Sequence, residues 1–368
     1  MKSVISPGRS LVGHAPSVLL GLLVILVSAG TFVGGASASS KTSATSWIDE
    51  PVSFFAGGIK IYATYRHPVD AGESVPAVLL IAGSGPTDRN GNSPLETGSI
   101  NTLKTLADWL GDDGVASLRY DKLGSGQTGL GSYATNVDSI GILPYEQESV
   151  AALKYLAAQK GIDDQRLAVF GHSEGALYAL LMATGHAGAV PRIHALGLFE
   201  PLGIRYLDLI AAQVDAQVTV EAKAGQITKK LEATVKSTLK KALARLRSTG
   251  KVAVNLPYGL NSILSPSDAK YLYEADQYDP GTLAAALPAH TPVIVSCSEA
   301  DIQVSCSQSD HIVKGLSRAG ADTDYVHLKG IDHVLKVDAS GTSANYTKDL
   351  PFSPVLKAAI QKFVSRNL

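Results

Sequence analysis

The run Val75 to Ile81 carries almost nothing but apolar side chains and leads into Gly83-Ser84-Gly85-Pro86. A strand with one face in water shows polar residues at every second position, so this run reads as a strand buried on both faces, with the glycine-rich stretch as its exit turn. Such a sheet needs helices above and below it. The chain supplies them in alternation: helical Ile100 to Leu110, strand Val115 to Tyr120, helical Tyr145 to Ala158, strand Arg166 to Phe170, helical Ala176 to His186, strand Ala195 to Phe199. That order predicts an α/β fold with a mostly parallel central sheet and helices on both faces. Val52 to Phe55 and Ile59 to Arg66 read as an entry hairpin ahead of it.

The alternation stops after Pro201 and resumes near Pro288, with strand Pro292 to Ser296, helical Ser309 to Ala319, strand Asp324 to Leu328 and a terminal helix Pro354 to Ser365. An inserted helical cap at 201–288 explains the gap, splitting the core into 51–200 and 289–368. Within the cap, Ile227, Leu231, Val235, Leu239, Leu243 and Leu246 recur at helical spacing, while Lys229, Lys230, Lys236, Lys240, Lys241 and Arg245 fill other faces. The expectation is an amphipathic helix that lays its apolar stripe on the core and keeps a solvated basic face, with a membrane-surface role as the alternative.

The N-terminus reads differently. Lys2 and Arg9 precede the apolar run Val18 to Ala29, and Ala36-Ser37-Ala38 follows. This is the layout of a signal peptide at 1–38, followed by a Ser/Thr-rich linker at 39–50. An uncleaved membrane anchor is the alternative, because the apolar and small residues from Ser17 to Gly35 approach the ~20 needed to cross a bilayer. Either reading places the body outside the cytoplasm, as a secreted, periplasmic or cell-envelope protein. In an exported chain a disulfide between the two cysteines, Cys297 and Cys306, is expected, with two buried thiols as the alternative. A formal net charge of -1 gives no reason to expect a nucleic-acid partner.

Gly171-His172-Ser173-Glu174-Gly175 lies between a strand and a helix. There the two glycines permit a sharp, crowded turn that lifts a serine hydroxyl out of the sheet at a helix N-terminus. Serine needs a general base, and of the nine histidines His333 alone sits in a loop after the last strand and before the terminal helix. His172, inside the turn, is expected to point away from the nucleophile's side. A carboxylate must hold the imidazole in its working tautomer. Asp301, in the turn after Pro292 to Ser296, is the first candidate, with Glu299 and Glu200 as competitors. Backbone N–H groups of Glu174 and Ser84 are placed to receive an oxyanion. If Cys297 and Cys306 bond, the bridge encloses Asp301 in a short loop. Cysteine and histidine spacing offers no zinc pattern, and no glycine loop fits a phosphate cradle, so no metal or cofactor is expected.

These residues, with Gly83-Ser84-Gly85-Pro86-Thr87-Asp88-Arg89-Asn90-Gly91-Asn92, Leu118-Arg119-Tyr120-Asp121-Lys122-Leu123-Gly124-Ser125-Gly126 and Asp301-Ile302-Gln303-Val304, resemble a bacterial branch of the α/β-hydrolase superfamily close to serine aminopeptidase-like and carboxylesterase-like members. The resemblance implies the α/β-hydrolase fold, a Ser-Asp-His triad on Ser173, Asp301 and His333, an oxyanion hole at Ser84 and Glu174, and a cap over the site. It implies a small acyl substrate. Carboxylic ester cleavage leads; peptide cleavage at a free N-terminus is the alternative and would need a cap carboxylate such as Asp215, Glu221 or Glu274 for the ammonium. Two departures stand out: Ala82 where many members carry histidine, and Cys297-Ser298 where Gln-Gly is usual. Arg119 with Asp121, and Asp88 with Arg89, read as scaffold ion pairs.

Overall fold

The computed structural model describes residues 46–69 and 74–368; the expected signal peptide and most of the linker lie outside the described residues. β1 (Trp47–Ala56) and β2 (Ile59–Pro68) form an antiparallel hairpin with Ala56 opposite Ile59. Both hairpin residues, Gly57 and Gly58, have positive φ (55° and 83°), as a two-residue turn matching strand twist requires. The hairpin is longer than its apolar runs suggested: Trp47 to Glu50, counted with the linker, already pair with β2.

β3 (Val75–Ile81), β4 (Ala116–Tyr120), β5 (Ile162–His172), β6 (Ala195–Phe199), β7 (Pro292–Ser298) and β8 (Asp322–Leu328) complete a sheet of order β1-β2-β4-β3-β5-β6-β7-β8. β2 meets β4 antiparallel, and every pairing from β4 to β8 is parallel. Alternate residues of β3 feed two different cores. Ala77, Leu79 and Ile81 pack with α2 (Leu143–Ala157), α3 (Gly175–Ala183) and α8 (Cys306–Ala319), while Val78 and Leu80 pack with α1 (Thr102–Asp112) and α9 (Pro354–Asn367). This two-sided burial is the physical reason for the unbroken apolar run.

Between β6 and β7 come α4 (Tyr206–Lys223), α5 (Lys229–Thr249), α6 (Ala269–Ala275) and α7 (Pro280–Ala285). α5 starts where the Thr228 hydroxyl accepts the Leu231 N–H and ends at left-handed Gly250. Its apolar stripe packs on α4 rather than on the core: Val235, Leu239, Leu243 and Leu246 are buried with Leu207, Ile210, Val214 and Val218. The physical reason is that the insertion is long enough to bury its own stripe, each such side chain being worth about 1.5–3 kcal/mol. Lys229, Lys230, Lys240, Lys241 and Arg245 remain exposed. α7 behaves differently from its neighbours, since Leu283 and Ala284 join the core beside α3 and α8. No helix among the described residues is long and apolar enough to cross a membrane.

Candidate active site

The turn from β5 into α3 is built by close approach. A Cβ on Gly171 would lie 2.3 Å from the Gly175 carbonyl, and one on Gly175 would lie 2.3 Å from the Ile81 oxygen of β3. Only glycine fits either place. Ser173 between them has φ 54°, a left-handed conformation that L-residues adopt at a cost of roughly 1–2 kcal/mol. The strain is held by the neighbouring strand: Ser173 N–H donates to Phe199 O (2.9 Å), and Leu202 N–H donates to Ser173 O (3.0 Å).

At the same carboxyl-terminal sheet edge, His333 Nδ1 meets Asp301 Oδ2 at 2.7 Å, with both side chains nearly or wholly buried. The other oxygen of Asp301 accepts the backbone N–H groups of Gln303 (2.7 Å) and Val304 (3.0 Å). The carboxylate is therefore aimed by the turn that bears it. Cys297 and Cys306 form a disulfide, which encloses Asp301 in a short loop. Ser298, where glycine is usual in the resemblance, donates its hydroxyl to the Ile331 carbonyl and so ties the Asp301 loop to the His333 loop.

Of the competing acids, Glu299 is exposed, and Glu200 is fully buried. Glu200 receives the Ser296 hydroxyl at 3.3 Å, and its Oε2 has no partner among the described residues. Burial, reinforced by neighbouring Asp301, raises its carboxyl well above the usual carboxylate range.

His172 does not stand apart from the site. Its Nε2–H donates to the His333 carbonyl (2.8 Å), and the two rings lie 4.9 Å apart. A side chain that follows the strand pleat away from Ser173 still reaches the His333 loop, because that loop folds back over the end of β5. Burial, with His333 beside it, lowers His172 to about 3, so its ring is neutral and serves as a fixed donor.

The loops after β3 and β4 lie beside the Ser173 turn. Neither the Ser84 nor the Glu174 N–H has an acceptor among the described residues. A Cβ on Gly83 would sit 3.1 Å from Ser173 Cβ, so this loop lies directly against Ser173. The two loops are stitched together by Arg89, whose Nη2 and Nε reach Asp121 at 2.6 and 3.0 Å; Arg119 instead pairs with Asp49 at 2.8 Å. Lys122, 2% exposed, donates to the Gly83 carbonyl and lies 3.5 Å from Glu174 Oε1. On the other Glu174 oxygen, the cap residue Tyr206 donates at 2.6 Å. Tyr145, Tyr178 and Tyr271 continue this aromatic wall, with Tyr178 and Tyr271 joined through their hydroxyls at 2.9 Å. Sequence reasoning missed Lys122 and Tyr206 as neighbours of the site. Lys122 belongs to the stretch Leu118 to Gly126, but nothing local marks it as buried.

The cap carboxylates are engaged elsewhere. Glu274 accepts the Ile142 N–H (2.8 Å), Glu221 accepts Gln217 (2.6 Å), and Asp215 faces Lys236 at 3.9 Å.

No protein-family model matches the sequence, and no curated protein matches it. Solved structures do. Est1E from Butyrivibrio proteoclasticus, determined with ferulic acid bound, aligns with TM-score 0.52 at 16% identity over 86% of this chain and 98% of its own. The Pyrococcus furiosus esterase Pf2001 aligns with TM-score 0.54 at 14% identity over 87% of this chain and 91% of its own. The α/β hydrolase GrgF from Penicillium sp. sh18 gives 0.52 at 14% identity, over 87% and 99%. At these identities the likeness is one of architecture. The chain has the α/β-hydrolase fold.

Proposed function

We propose that this chain is an exported serine hydrolase that cleaves carboxylic esters through an acyl-enzyme. The observation that carries the reading is the buried His333–Asp301 pair at the sheet edge that also bears strained Ser173. Asp301 holds Nδ1–H and stabilises the imidazolium, so that Nε2 takes the Ser173 proton as Oγ attacks the ester carbonyl. The oxyanion is received by the N–H groups of Ser84 and Glu174, each worth roughly 2.7–4 kcal/mol in such sites. The imidazolium returns its proton to the leaving alcohol, and water activated by His333 releases the acid. The substrate is selected by the tyrosine wall, to which the cap contributes Tyr206 and Tyr271 and the core Tyr145 and Tyr178.

Ester cleavage is favoured over peptide cleavage at a free N-terminus because Asp215, Glu221 and Glu274 already have other partners, while Glu174 is countered by Lys122. Export is supported by the signal-like segment at 1–38 and by the Cys297–Cys306 disulfide, a bond that persists in oxidising compartments.

The test is hydrolysis of p-nitrophenyl acyl esters, short to long, beside an aminoacyl-anilide panel. Ester turnover and fluorophosphonate labelling that both disappear in Ser173→Ala are expected. Anilide cleavage without ester cleavage would replace the esterase with a peptidase, and an unlabelled, inactive wild type would leave a binding protein.

A further inference from the structure

We infer that Lys122 is a positioning residue for the oxyanion hole, acting on both of its donors from behind; the inference rests on the hydrolase reading above. Three observations converge. Lys122 is almost wholly buried, yet its ammonium donates to the carbonyl of Gly83. That carbonyl belongs to the same planar peptide unit as the Ser84 N–H, and in a trans peptide the two point in opposite directions. A charge on the oxygen therefore orients the N–H toward the nucleophile and polarises it as a donor. The second donor, Glu174 N–H, belongs to the residue whose own carboxylate lies 3.5 Å from the same ammonium and accepts Tyr206 from the cap.

The arrangement also explains the charge balance. A lysine buried this deeply needs acceptors and a counter-charge, and Gly83 O and Glu174 supply them. The neighbouring Arg89–Asp121 pair holds the same two loops together, so Lys122 is not needed merely to join them. What Lys122 adds is a positive charge on one particular peptide. It touches no reacting atom; its effect passes through the Ser84 and Glu174 backbones.

The experiment compares Lys122→Met, Glu174→Gln and the double variant with wild type, reading kcat and KM on the preferred ester. It also reads affinity for an alkyl trifluoromethyl ketone, which adds Ser173 and carries an oxyanion, against the matching alcohol, which does not. Thermal melting verifies folding, and the double variant removes the lone buried carboxylate that Lys122→Met alone would leave. In the double variant, kcat is expected to fall roughly 10–100-fold relative to Glu174→Gln, in the range of a weakened oxyanion donor. KM and alcohol affinity should stay within about threefold, and trifluoromethyl ketone affinity should fall in step with kcat. A folded double variant matching Glu174→Gln in kcat and ketone affinity would overturn the role of Lys122 while leaving the hydrolase intact. Equal losses of alcohol and ketone affinity would make Lys122 a general structural support and also overturn it. A wild type whose Ser173 forms no ketone or fluorophosphonate adduct would remove the hydrolase reading and this inference with it.

Discussion

Ser173 stands in a conformation that its neighbours impose on it. Gly171 and Gly175 leave no room for a wider turn, the end of β6 pins the Ser173 N–H through Phe199, and Leu202, just beyond β6, pins its carbonyl. The strain yields a testable signature. Ser173→Ala keeps a Cβ at φ 54° and so keeps the strain, whereas Ser173→Gly relieves it, part of the gain being lost to the greater freedom of glycine in the unfolded chain. In urea titrations Ser173→Gly is expected to be the more stable of the two by about 1 kcal/mol, with both inactive. Equal midpoints would show that the turn is not strained. Ser173 was legible in the sequence because the steric demand lies within five consecutive residues. The partner of His172, one position earlier, was not legible: it is the carbonyl of His333, which no local pattern connects to β5.

At the scale of elements, the segment from β7 to α8 must present Asp301 accurately. It does so with a closed loop. The disulfide joins the end of β7 to the first residue of α8, across a sequence separation of 9. Chain-entropy arguments put the stabilisation from closing a loop of this size at about 2–3 kcal/mol. Replacing both cysteines by serine is expected to lower stability by about that amount in urea titrations and to reduce kcat more than it raises KM, because Asp301 would be aimed less well. A stability change below about 0.5 kcal/mol with unchanged kcat would reduce the bridge to an incidental feature. Cys297, one of the paired cysteines, stands with Ser298 where the resemblance departed from the usual Gln-Gly. In the structure, Cys297 provides one end of the bridge and Ser298 links the loop to Ile331. The amphipathic pattern of α5 was equally legible, but its partner was not: periodicity shows which face is buried, not what covers it.

Taken as a whole, the molecule buries ionisable groups around its candidate site, and its stability should vary with pH accordingly. Glu148, buried under the loop after β4 and accepting the Leu123 N–H, is raised by burial from 4.5 to about 8. Its native carboxyl keeps a proton that the unfolded chain has already lost, so this contribution is complete below pH 4.5 and declines as pH rises through 8. Between pH 6.5 and 8 the wild type is expected to lose about 1–2 kcal/mol that Glu148→Gln does not lose, as read by urea titration at each pH. Parallel profiles would mean that Glu148 is already ionised in the folded chain. His172 acts with the opposite sign: it remains neutral in the fold down to about 3 while the unfolded imidazole protonates below 6.5, so acid withdraws its share of stability over that interval. Buried titrating groups of this kind cannot be read from composition, and the net charge of -1 says nothing about them. The amino-acid sequence by itself determined the alternation of strands and helices, the crowded turn at Ser173 and the position of an insertion, because each is written in periodicity or steric demand over a few adjacent residues. Only the tertiary structure decided that His172 braces His333, that Lys122 lies behind Gly83 and Glu174, and that α5 packs on α4. Those contacts join residues tens to hundreds of positions apart, and sheet register and helix packing, rather than any local pattern, bring them together.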